Sequence, residues 1–317
     1  MAAQSTNPPL AEISVVLCTY NRAARLADAL AALVHQTDAP PYEVVVVDNN
    51  SADDTGAVIA RFAESGVVRY ASEPVQGLSH ARNRGVAAAR ADILAFTDDD
   101  VRADPTWVRS IARAFAEQPD VDMIGGRVEP LWEAEPPAWL PQAGYAPLAI
   151  VDYGRAPFRI APTSPCCLIG ANVAIRRRAL EELHGFSPRV QRIGDGIGST
   201  EDHEFQMRLL DAGAAALYDP RMAVRAVVPR ERLSKRYHRA WHKGHGRFYA
   251  LMRDPLFERS RTGTLLGVPA HVYRSAAGEA WAWASSLLRG RSSLAFAHEL
   301  RLRFLAAFAA ERIFQRT

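Results

Sequence analysis

Residues 13–22 read ISVVLCTYNR, residues 43–51 read EVVVVDNNS and residues 93–100 read ILAFTDDD. Each segment starts with a short apolar run and ends in polar residues. A strand that is buried on both faces reads as such a run, which is typical of a parallel sheet covered by helices. Together with a weaker run at residues 67–71, these segments predict four strands of one sheet.

The stretches between these strands have helical periodicity. Residues 22–36 carry apolar side chains at Leu26 and Leu30, and residues 54–64 and 78–89 predict two further helices. Regular alternation of strands and helices is typical of a doubly wound fold. We therefore expect an α/β protein whose mixed or parallel sheet is flanked by helices.

The regular alternation ends after residue 100. Residues 105–117 predict a helix and residues 123–128 a strand, but residues 130–165 are rich in Pro and Trp and have no regular period. Such a length is unusual for a simple connection and predicts a functional loop or lid. The remaining predicted elements are a strand at 168–175, a helix at 201–212, strands at 214–218 and 223–228, and helices from residue 234 onwards.

Composition excludes several classes of protein. The chain has 317 residues, of which 48% are hydrophobic and 23% charged, so it can bury a sizeable core. Its longest apolar runs are far shorter than the roughly 20 residues of a bilayer-spanning helix. The first 12 residues lack the basic start and apolar run of a signal peptide. Three cysteines cannot form a disulfide framework, and we expect a cytoplasmic protein.

Charge divides the chain into two parts. Residues 1–220 have a net charge of −10, whereas residues 221–317 have a net charge of +13. We expect a tail at residues 1–10, a main domain at 11–228 with two halves (11–100 and 101–228), and a basic helical extension at 229–317. The basic part predicts an anionic partner, although solvated helix faces also collect arginine.

Acidic residues follow two of the predicted strands. Asp48 ends the second strand, and Asp98, Asp99 and Asp100 follow the fourth. Ligands of a doubly wound sheet bind beyond the carboxyl ends of its strands. Hard carboxylate oxygens suit Mg²⁺ or Mn²⁺ held together with substrate phosphates. The alternative is an aspartate-rich turn that caps the following helix.

Five stretches, taken in order, resemble family 2 glycosyltransferases, which have the GT-A fold, invert the anomeric centre and use nucleotide-sugars. The stretches are SVVLCTYNR (14–22), VVVVDNNSADDT (44–55), GLSHARNRGVAAARADILAFTDDD (77–100), LIGANVAIRRRALEELHGF (168–186) and STEDHEFQMRLLDAG (199–213). Each is weak alone, but their order over residues 12–220 is specific. The resemblance therefore implies this fold and this activity. It also implies that residues 11–228 are the catalytic domain, with a nucleotide-sugar-binding half at 11–100 and an acceptor half at 101–228.

The resemblance also implies roles for single residues. Asp98 and Asp100 match the outer positions of the family's Asp-x-Asp motif, whose first aspartate faces the ribose and whose last ligates the metal. Asp99 also fits, so the register is open by one. The implied nucleotide-sugar-binding residues are Thr19, Tyr20, Arg22, Asp48, Arg82, Asp98, Asp99 and Asn172, and the implied metal ligands are Asp100 and Asp98.

An inverting transferase needs a base that deprotonates the acceptor hydroxyl, and a carboxylate usually serves. Thr200-Glu201-Asp202 resembles the family's motif at that position. The resemblance implies Asp202 as the catalytic base, with Glu201 as the second choice. The alternative is an acidic first helical turn that is favoured by the helix dipole.

The last third interleaves basic and aromatic residues. His238, His242 and His245 have helical spacing, which suits either a metal site or, more commonly, a basic face. Trp132 and Trp139 could stack on a sugar or fill the gap between loop and sheet. The apolar helices near the end could pack on the catalytic domain, pair in a homodimer or lie on an anionic membrane.

Taken together, the sequence predicts a metal-dependent glycosyltransferase that adds one sugar, because the motif and the membrane helices of processive family members are absent. Its donor would be a nucleotide-sugar, most simply a UDP-sugar, and its acceptor a saccharide or a lipid-linked saccharide in surface-polysaccharide assembly. It would be cytoplasmic or peripheral to the inner face of the membrane. The alternatives are a sugar-nucleotide-forming nucleotidyltransferase, which would need a Gly-rich basic loop after strand one, and a nucleic-acid-binding module. The acidic front part and the lack of a nucleic-acid motif argue against nucleic acid as a partner.

Overall fold

The computed structural model describes residues 12–194, 196–258 and 263–315, so the predicted tail at residues 1–10 lies outside the described residues. The strands are β1 (Ile13–Thr19), β2 (Tyr42–Asp48), β3 (Val68–Ser72), β4 (Ile93–Asp98), β5 (Val101–Ala103), β6 (Met123–Trp132), β7 (Phe158–Ile160), β8 (Val173–Arg176), β9 (Ala216–Val228), β10 (Thr264–Leu265) and β11 (Val268–Pro269). The helices are α1 (Ala23–Val34), α2 (Thr55–Ala63), α3 (Leu78–Ala88), α4 (Trp107–Glu117), α5 (Arg177–Glu182), α6 (Glu201–Asp211), α7 (Lys235–Met252), α8 (Pro255–Glu258), α9 (Ala270–Leu288) and α10 (Ser292–Phe314).

The four strands predicted from the apolar runs are parallel and adjacent, in the order β3-β2-β1-β4. In the centre, Val16 of β1 pairs with Val45 of β2 and Phe96 of β4, and all three are buried. The carboxyl ends of β1 and β4 lie side by side because Cys18 pairs with Asp98. This register brings the CTYNR and DDD segments to one edge of the sheet.

The second half of the sheet is mixed. From β4 the order continues β8-β6-β9-β5, with β8 antiparallel to both β4 and β6, and β6 parallel to β9. The short strand β7 also pairs with β9. A mixed α/β sheet flanked by helices confirms the predicted fold class.

Two predicted strands, at residues 214–218 and 223–228, are a single strand, β9. The predicted break contains Pro220, which cannot donate a hydrogen bond to a ladder. In the structure Gly125 pairs with Tyr218 and Arg127 with Ala223, so residues 219–222 of β9 lie opposite the single Gly126 in a register shift. Gly126 is required there, since an added Cβ would lie 1.9 Å from the Met222 carbonyl oxygen.

The C-terminal part is helical, as predicted, except for the small hairpin formed by β10 and β11. Helix α10 packs along α7, and α9 packs along α10. A cluster separate from the sheet core holds them together and includes Ala250, Val272 and Phe308. Within the described residues, none of the helices combines the length and the apolar composition that crossing a bilayer requires.

Candidate active site

A cavity of about 770 Å³ lies beyond the carboxyl ends of β1 and β4. Residues 142–153 of the irregular segment form one wall, so this segment does border the site as the sequence predicted. Helix α7 forms the opposite wall through Trp241, His245 and Tyr249. The cavity therefore joins both charged parts of the chain.

Arg82, on α3, is the buried centre of this cavity and is only 3% exposed. Its Nη1 donates to Asp202, closely, and to Glu201 at 3.4 Å, while its Nη2 lies 4.0 Å from Asp98. One guanidinium thus joins the end of β4 to the start of α6. A buried charge needs such partners, because transfer from water is otherwise costly.

Gly170 allows this arrangement. An added Cβ at this position would lie 2.0 Å from the Arg82 Nη2 and 2.8 Å from the Asp202 Oδ1. The Gly170 backbone N–H also donates to the Asp202 Oδ2 at 2.8 Å. The two oxygens of Asp202 are therefore held by different donors, which fixes the plane of the carboxylate.

The three consecutive aspartates have different partners. Asp99 accepts hydrogen bonds from the Thr19 hydroxyl at 2.9 Å and from Arg22 at 3.1 Å. Asp100 accepts from Arg22 at 3.2 Å and from Arg232 at 3.1 Å. Arg22 and Arg232, together with Arg82 near Asp98, thus offset the mutual repulsion of the aspartates. The aspartates border the cavity instead of only capping a helix.

Burial changes the ionisation of these acids. It raises the pKa of Asp99 to about 6, although the Arg22 charge acts in the opposite direction. Burial also raises the pKa of Asp98 and that of Glu201, in both cases against the effect of Arg82. Such groups are common where a site must bind a positive ligand or move a proton.

The carboxylates at the cavity could supply part of the ligands of a divalent ion. Among the residues that the structure describes, no three His, Cys, Asp or Glu side chains are grouped so that they could hold a metal ion by themselves. A magnesium-type ion, however, is often bound by one or two carboxylates together with substrate phosphates and water. The Asp98 side chain is one-third exposed at 33%, and Asp98 and Asp100 both line the cavity. This donor set fits an ion that binds with a phosphorylated ligand.

The structure brings together most of the predicted site residues. Those that line the cavity are Thr19, Tyr20, Arg22, Arg82, Asp98, Asp99, Asp100, Glu201 and Asp202. Asp48 lies at the end of β2 outside this lining, and its carboxylate accepts a hydrogen bond from the Ser51 backbone N–H at 2.9 Å. Its predicted role in nucleotide-sugar binding remains a prediction.

Asn172 was predicted to contact the donor, but its side chain points into the core. Its Nδ2 donates to the carbonyl oxygens of Arg127 and Met222, each at 2.8 Å. Its Oδ1 accepts from the Trp107 indole N–H at 2.7 Å. Both amide N–H groups and the carbonyl oxygen of Asn172 thus have partners within the fold, so Asn172 joins α4, β6 and β9 and does not line the cavity. Its small neighbour Ala171 lines the cavity instead.

The histidines of α7 do not form the basic face that the sequence favoured. Burial lowers the pKa of His238 and of His245 to about 4, so both are neutral near pH 7. They also form no metal cluster within the described ranges. Of the two loop tryptophans, Trp139 packs edge-on against His238 and Phe296, and Trp132 against Tyr145, so both fill space.

Sequence reasoning missed Arg232 and the face of α7 that lines the cavity. Arg232 lies 132 residues from its partner Asp100, in a segment that matches none of the five stretches. The local pattern W-x-x-x-H-x-x-x-Y over residues 241–249 did place three rings on one helical face. What the pattern could not show was which surface that face covers.

The fold and the acidic cavity define a protein of the GT-A type. The chain belongs to glycosyl transferase family 2, whose family model matches residues 14–184. The resemblance found in the sequence is thereby confirmed.

Curated relatives match part of the chain. Over 194 residues it is 27% identical to the glucosyl-dolichyl phosphate glucuronosyltransferase of Haloferax volcanii. This match covers 58% of this chain and 58% of the relative. Over 119 residues it is 39% identical to the validoxylamine A glucosyltransferase of Streptomyces hygroscopicus subsp. limoneus, covering 37% of this chain and 26% of the relative. The matches thus span little more than half of the relatives' length at most.

Solved structures show the same fold over nearly the whole chain. The mannosyltransferase PcManGT of Pyrobaculum calidifontis, in complex with GDP-Man and Mn²⁺, superposes with a TM-score of 0.63 at 22% identity, covering 96% of this chain and 88% of that one. TarS residues 1–349 of S. aureus, in complex with UDP, gives a TM-score of 0.55 at 17% identity, with coverage of 96% and 91%. The C-terminal helices are thus included in the likeness.

The raised pKa of Asp99 predicts how stability depends on pH. Because the pKa of Asp99 is higher in the folded than in the unfolded state, the fold favours the protonated carboxyl group. This contribution to stability is complete below about pH 4 and is lost as the pH rises through about 6. Asp99→Asn removes the buried charge, so we expect its free energy of unfolding to exceed that of the wild type by about 1–3 kcal/mol near neutral pH. The difference should vanish by about pH 4. Urea denaturation at several pH values measures it.

The matched control is Asp120→Asn, at a surface position where Arg159 lowers the pKa of the carboxyl group. Its effect near neutral pH should have the opposite sign, because this charge is favourable in the folded state. If Asp99→Asn lowered stability near neutral pH as the control does, the proposed burial cost would be contradicted.

Proposed function

We propose that the chain is a metal-dependent inverting glycosyltransferase that moves one sugar from a nucleotide-sugar to a saccharide or a lipid-linked saccharide. A UDP-sugar is the proposed donor and surface-glycan assembly the proposed process. The observation that carries the proposal is the contact of Arg82 with acids from both ends of the cavity, Asp98 after β4 and Asp202 at the start of α6. One pocket thus contains acids that could hold a metal ion with the diphosphate and a carboxylate that could act as a base.

The nucleotide is proposed to bind beyond the carboxyl ends of β1 and β2. Thr19, Tyr20 and Asn49 line the cavity there, and Asp48 precedes Asn49 at the end of β2. This position follows the rule that ligands of open α/β sheets bind where the strands end. The diphosphate would then lie near Asp98 and Asp100, with Arg22 and Arg232 close by.

We propose that Asp100 and Asp98 hold Mg²⁺ or Mn²⁺ together with the diphosphate. The bound ion would offset the negative charge that builds on the diphosphate as the sugar leaves. Arg22 and Arg232 both contact the Oδ2 of Asp100, which leaves its Oδ1 for another ligand. The PcManGT structure contains Mn²⁺ with its nucleotide-sugar, which supports a divalent ion in this fold.

Asp202 is the proposed catalytic base. Its side chain is 21% exposed, against 5% for Glu201, so Asp202 is the acid that an acceptor hydroxyl can reach. In the reaction the hydroxyl proton passes to Asp202 and its oxygen bonds to the anomeric carbon. The bond from that carbon to the diphosphate oxygen breaks, and the electron pair leaves with the nucleoside diphosphate. Arg82 and Gly170 would hold the carboxylate in place.

The proposal predicts that donor binding and transfer separate in two variants. Asp100→Asn should abolish Mn²⁺-dependent UDP binding, measured by calorimetry. Asp202→Asn should bind UDP normally but release it from UDP-sugars about 10²–10⁴-fold more slowly, because transfer to water or a sugar needs the base.

Glu201→Gln is the control, since it changes the neighbouring acid in the same way. A larger loss of transfer in Glu201→Gln than in Asp202→Asn would assign the base to Glu201. Unchanged Mn²⁺-dependent UDP affinity in Asp100→Asn would contradict the metal assignment.

We also propose that the chain binds an anionic membrane surface through the turn between α9 and α10. Trp281 is 78% exposed and Leu288 90%, and Leu294 is exposed on the other side of the turn. Arg289 and Arg291 are exposed between them. Apolar side chains beside arginines suit the interface of an anionic leaflet, where each basic residue contributes about 1 kcal/mol. Many arginines of this third instead pair within the fold, as Arg239 does with Glu299.

This surface predicts sedimentation with vesicles of phosphatidylcholine and phosphatidylglycerol at low salt, and release at high salt. The double variant Trp281→Ser/Leu288→Ser should bind at least about tenfold more weakly, since two large apolar side chains no longer enter the interface. Tyr70→Ser is the control, because Tyr70 is 54% exposed on a distant edge strand. Failure to bind at low salt, or a homodimer that the double variant abolishes, would contradict the membrane assignment.

A further inference from the structure

Helix α7 presents a row of rings to the cavity that the donor and the base leave unused. Trp241, His245 and Tyr249 follow one another at four-residue spacing and therefore lie on one face. Trp241 stacks on His245 with ring centres 4.2 Å apart and an interplanar angle of 22°. His245 then meets Tyr249 edge-on at 4.9 Å.

Two glycines fix this helix against the loop that leads to the base. An added Cβ at Gly198 would lie 2.6 Å from the His245 backbone nitrogen, and one at Gly244 would lie 2.1 Å from the Ile197 carbonyl oxygen. The His245 Nδ1 donates to the Gly198 carbonyl oxygen at 3.1 Å. Helix α7 and its rings are thus held against Gly198, which lies four residues before Asp202 in the chain.

A second contact joins the row to the residue after the base. The Tyr249 hydroxyl and the His203 Nδ1 are hydrogen-bonded at 3.2 Å. Burial lowers the pKa of both His203 and His245, so the rings are neutral and act through their faces and lone pairs. With Nδ1 donating to Gly198, the Nε2 of His245 is left as a hydrogen-bond acceptor.

Trp241 differs from the tryptophan that only fills space. Trp139 has His238 and Phe296 rings against it from two other elements. Trp241 has ring contacts to His242 and His245 of its own helix, and it lines the cavity. An aromatic face in a cavity, close to a few fixed polar groups, is typical of a site that orients a ligand.

Tyr249 is packed between Phe257 and Phe304 of other helices, and His245 also meets Phe304, so Trp241 is the ring of this row that is left for a ligand. We propose that Trp241, with His245 stacked against it, forms a stacking platform for a pyranose ring of the acceptor and so places one of its hydroxyls at Asp202. A pyranose has an apolar C–H face for the rings and hydroxyls at its edge for polar groups. Ser199, Thr200 and Asp202 beside the platform also line the cavity, which suits a saccharide better than a lipid chain. This inference rests on the proposed function, since it assigns the acceptor class of the same site.

Saturation-transfer NMR tests the platform with methyl glycosides as probes, in the presence of UDP and the diamagnetic ion Mg²⁺. The probes are the α- and β-glycosides of glucose, mannose, galactose, N-acetylglucosamine and glucuronic acid. At least one should bind the wild type, with the strongest transfer to ring protons of one sugar face. Trp241→Ala should weaken this binding roughly three- to tenfold, while Trp241→Phe, which keeps a ring, should lose less. UDP affinity should stay unchanged in both variants.

The matched control is Trp283→Ala, which removes a partly exposed tryptophan of α9 outside the cavity and should leave glycoside binding unchanged. Absence of glycoside binding in a wild type that binds UDP would overturn the platform and leave the donor site intact. Equal glycoside affinity in Trp241→Ala and the wild type would also overturn it. A wild type that binds glycosides but not UDP would uphold the platform and contradict the proposed donor.

Discussion

The candidate site depends on one buried cation. The side chain of Arg82, on α3, contacts Asp98 at the end of β4 and Asp202 at the start of α6, which are more than a hundred residues apart in the chain. Without it, Asp98, Glu201 and Asp202 would crowd negative charge into a poorly hydrated space, and each would cost several kcal/mol to keep ionised. With it, the acids that follow β4 and those that begin α6 share one cavity. Position 170 has no room for a side chain, because the Arg82 guanidinium and the Asp202 carboxylate occupy that space.

The contact of α7 with the loop before α6 has a comparable role for the basic third. Gly198 and Gly244 let backbone approach backbone, and Arg232 reaches Asp100 from the segment that leads into α7. The acidic front part and the basic back part of the chain therefore meet at the cavity. The predicted limit at residue 229 remains a prediction, and extensive packing crosses it. The far end of α9, by contrast, keeps large apolar side chains exposed.

Much of this could be predicted from sequence because the signals are local. Apolar runs such as VVVV at residues 44–47 indicate buried parallel strands, and acids directly after a strand indicate a site at the sheet edge. Asn172 was assigned to donor binding through the family resemblance, but its amide is hydrogen-bonded to the Trp107 indole and to two carbonyl oxygens. Arg232 and the ring row of α7 were missed because their partners are set by tertiary docking. The continuity of β9 through Pro220 likewise could not be predicted, because residues 219–222 lie in a register shift that only the pairing with β6 shows.

The most direct test of the central claim is the free energy of unfolding of Arg82→Met, alone and combined with Glu201→Gln and Asp202→Asn, measured by urea denaturation near neutral pH. Removing one partner from a buried ion pair costs about 3–5 kcal/mol, so the single variant should be strongly destabilised or fail to fold. Neutralising the two acids removes the charges left without a partner, so the triple variant should recover a large part of that loss. A single variant as stable as the wild type, or a triple variant less stable than the single one, would contradict the account.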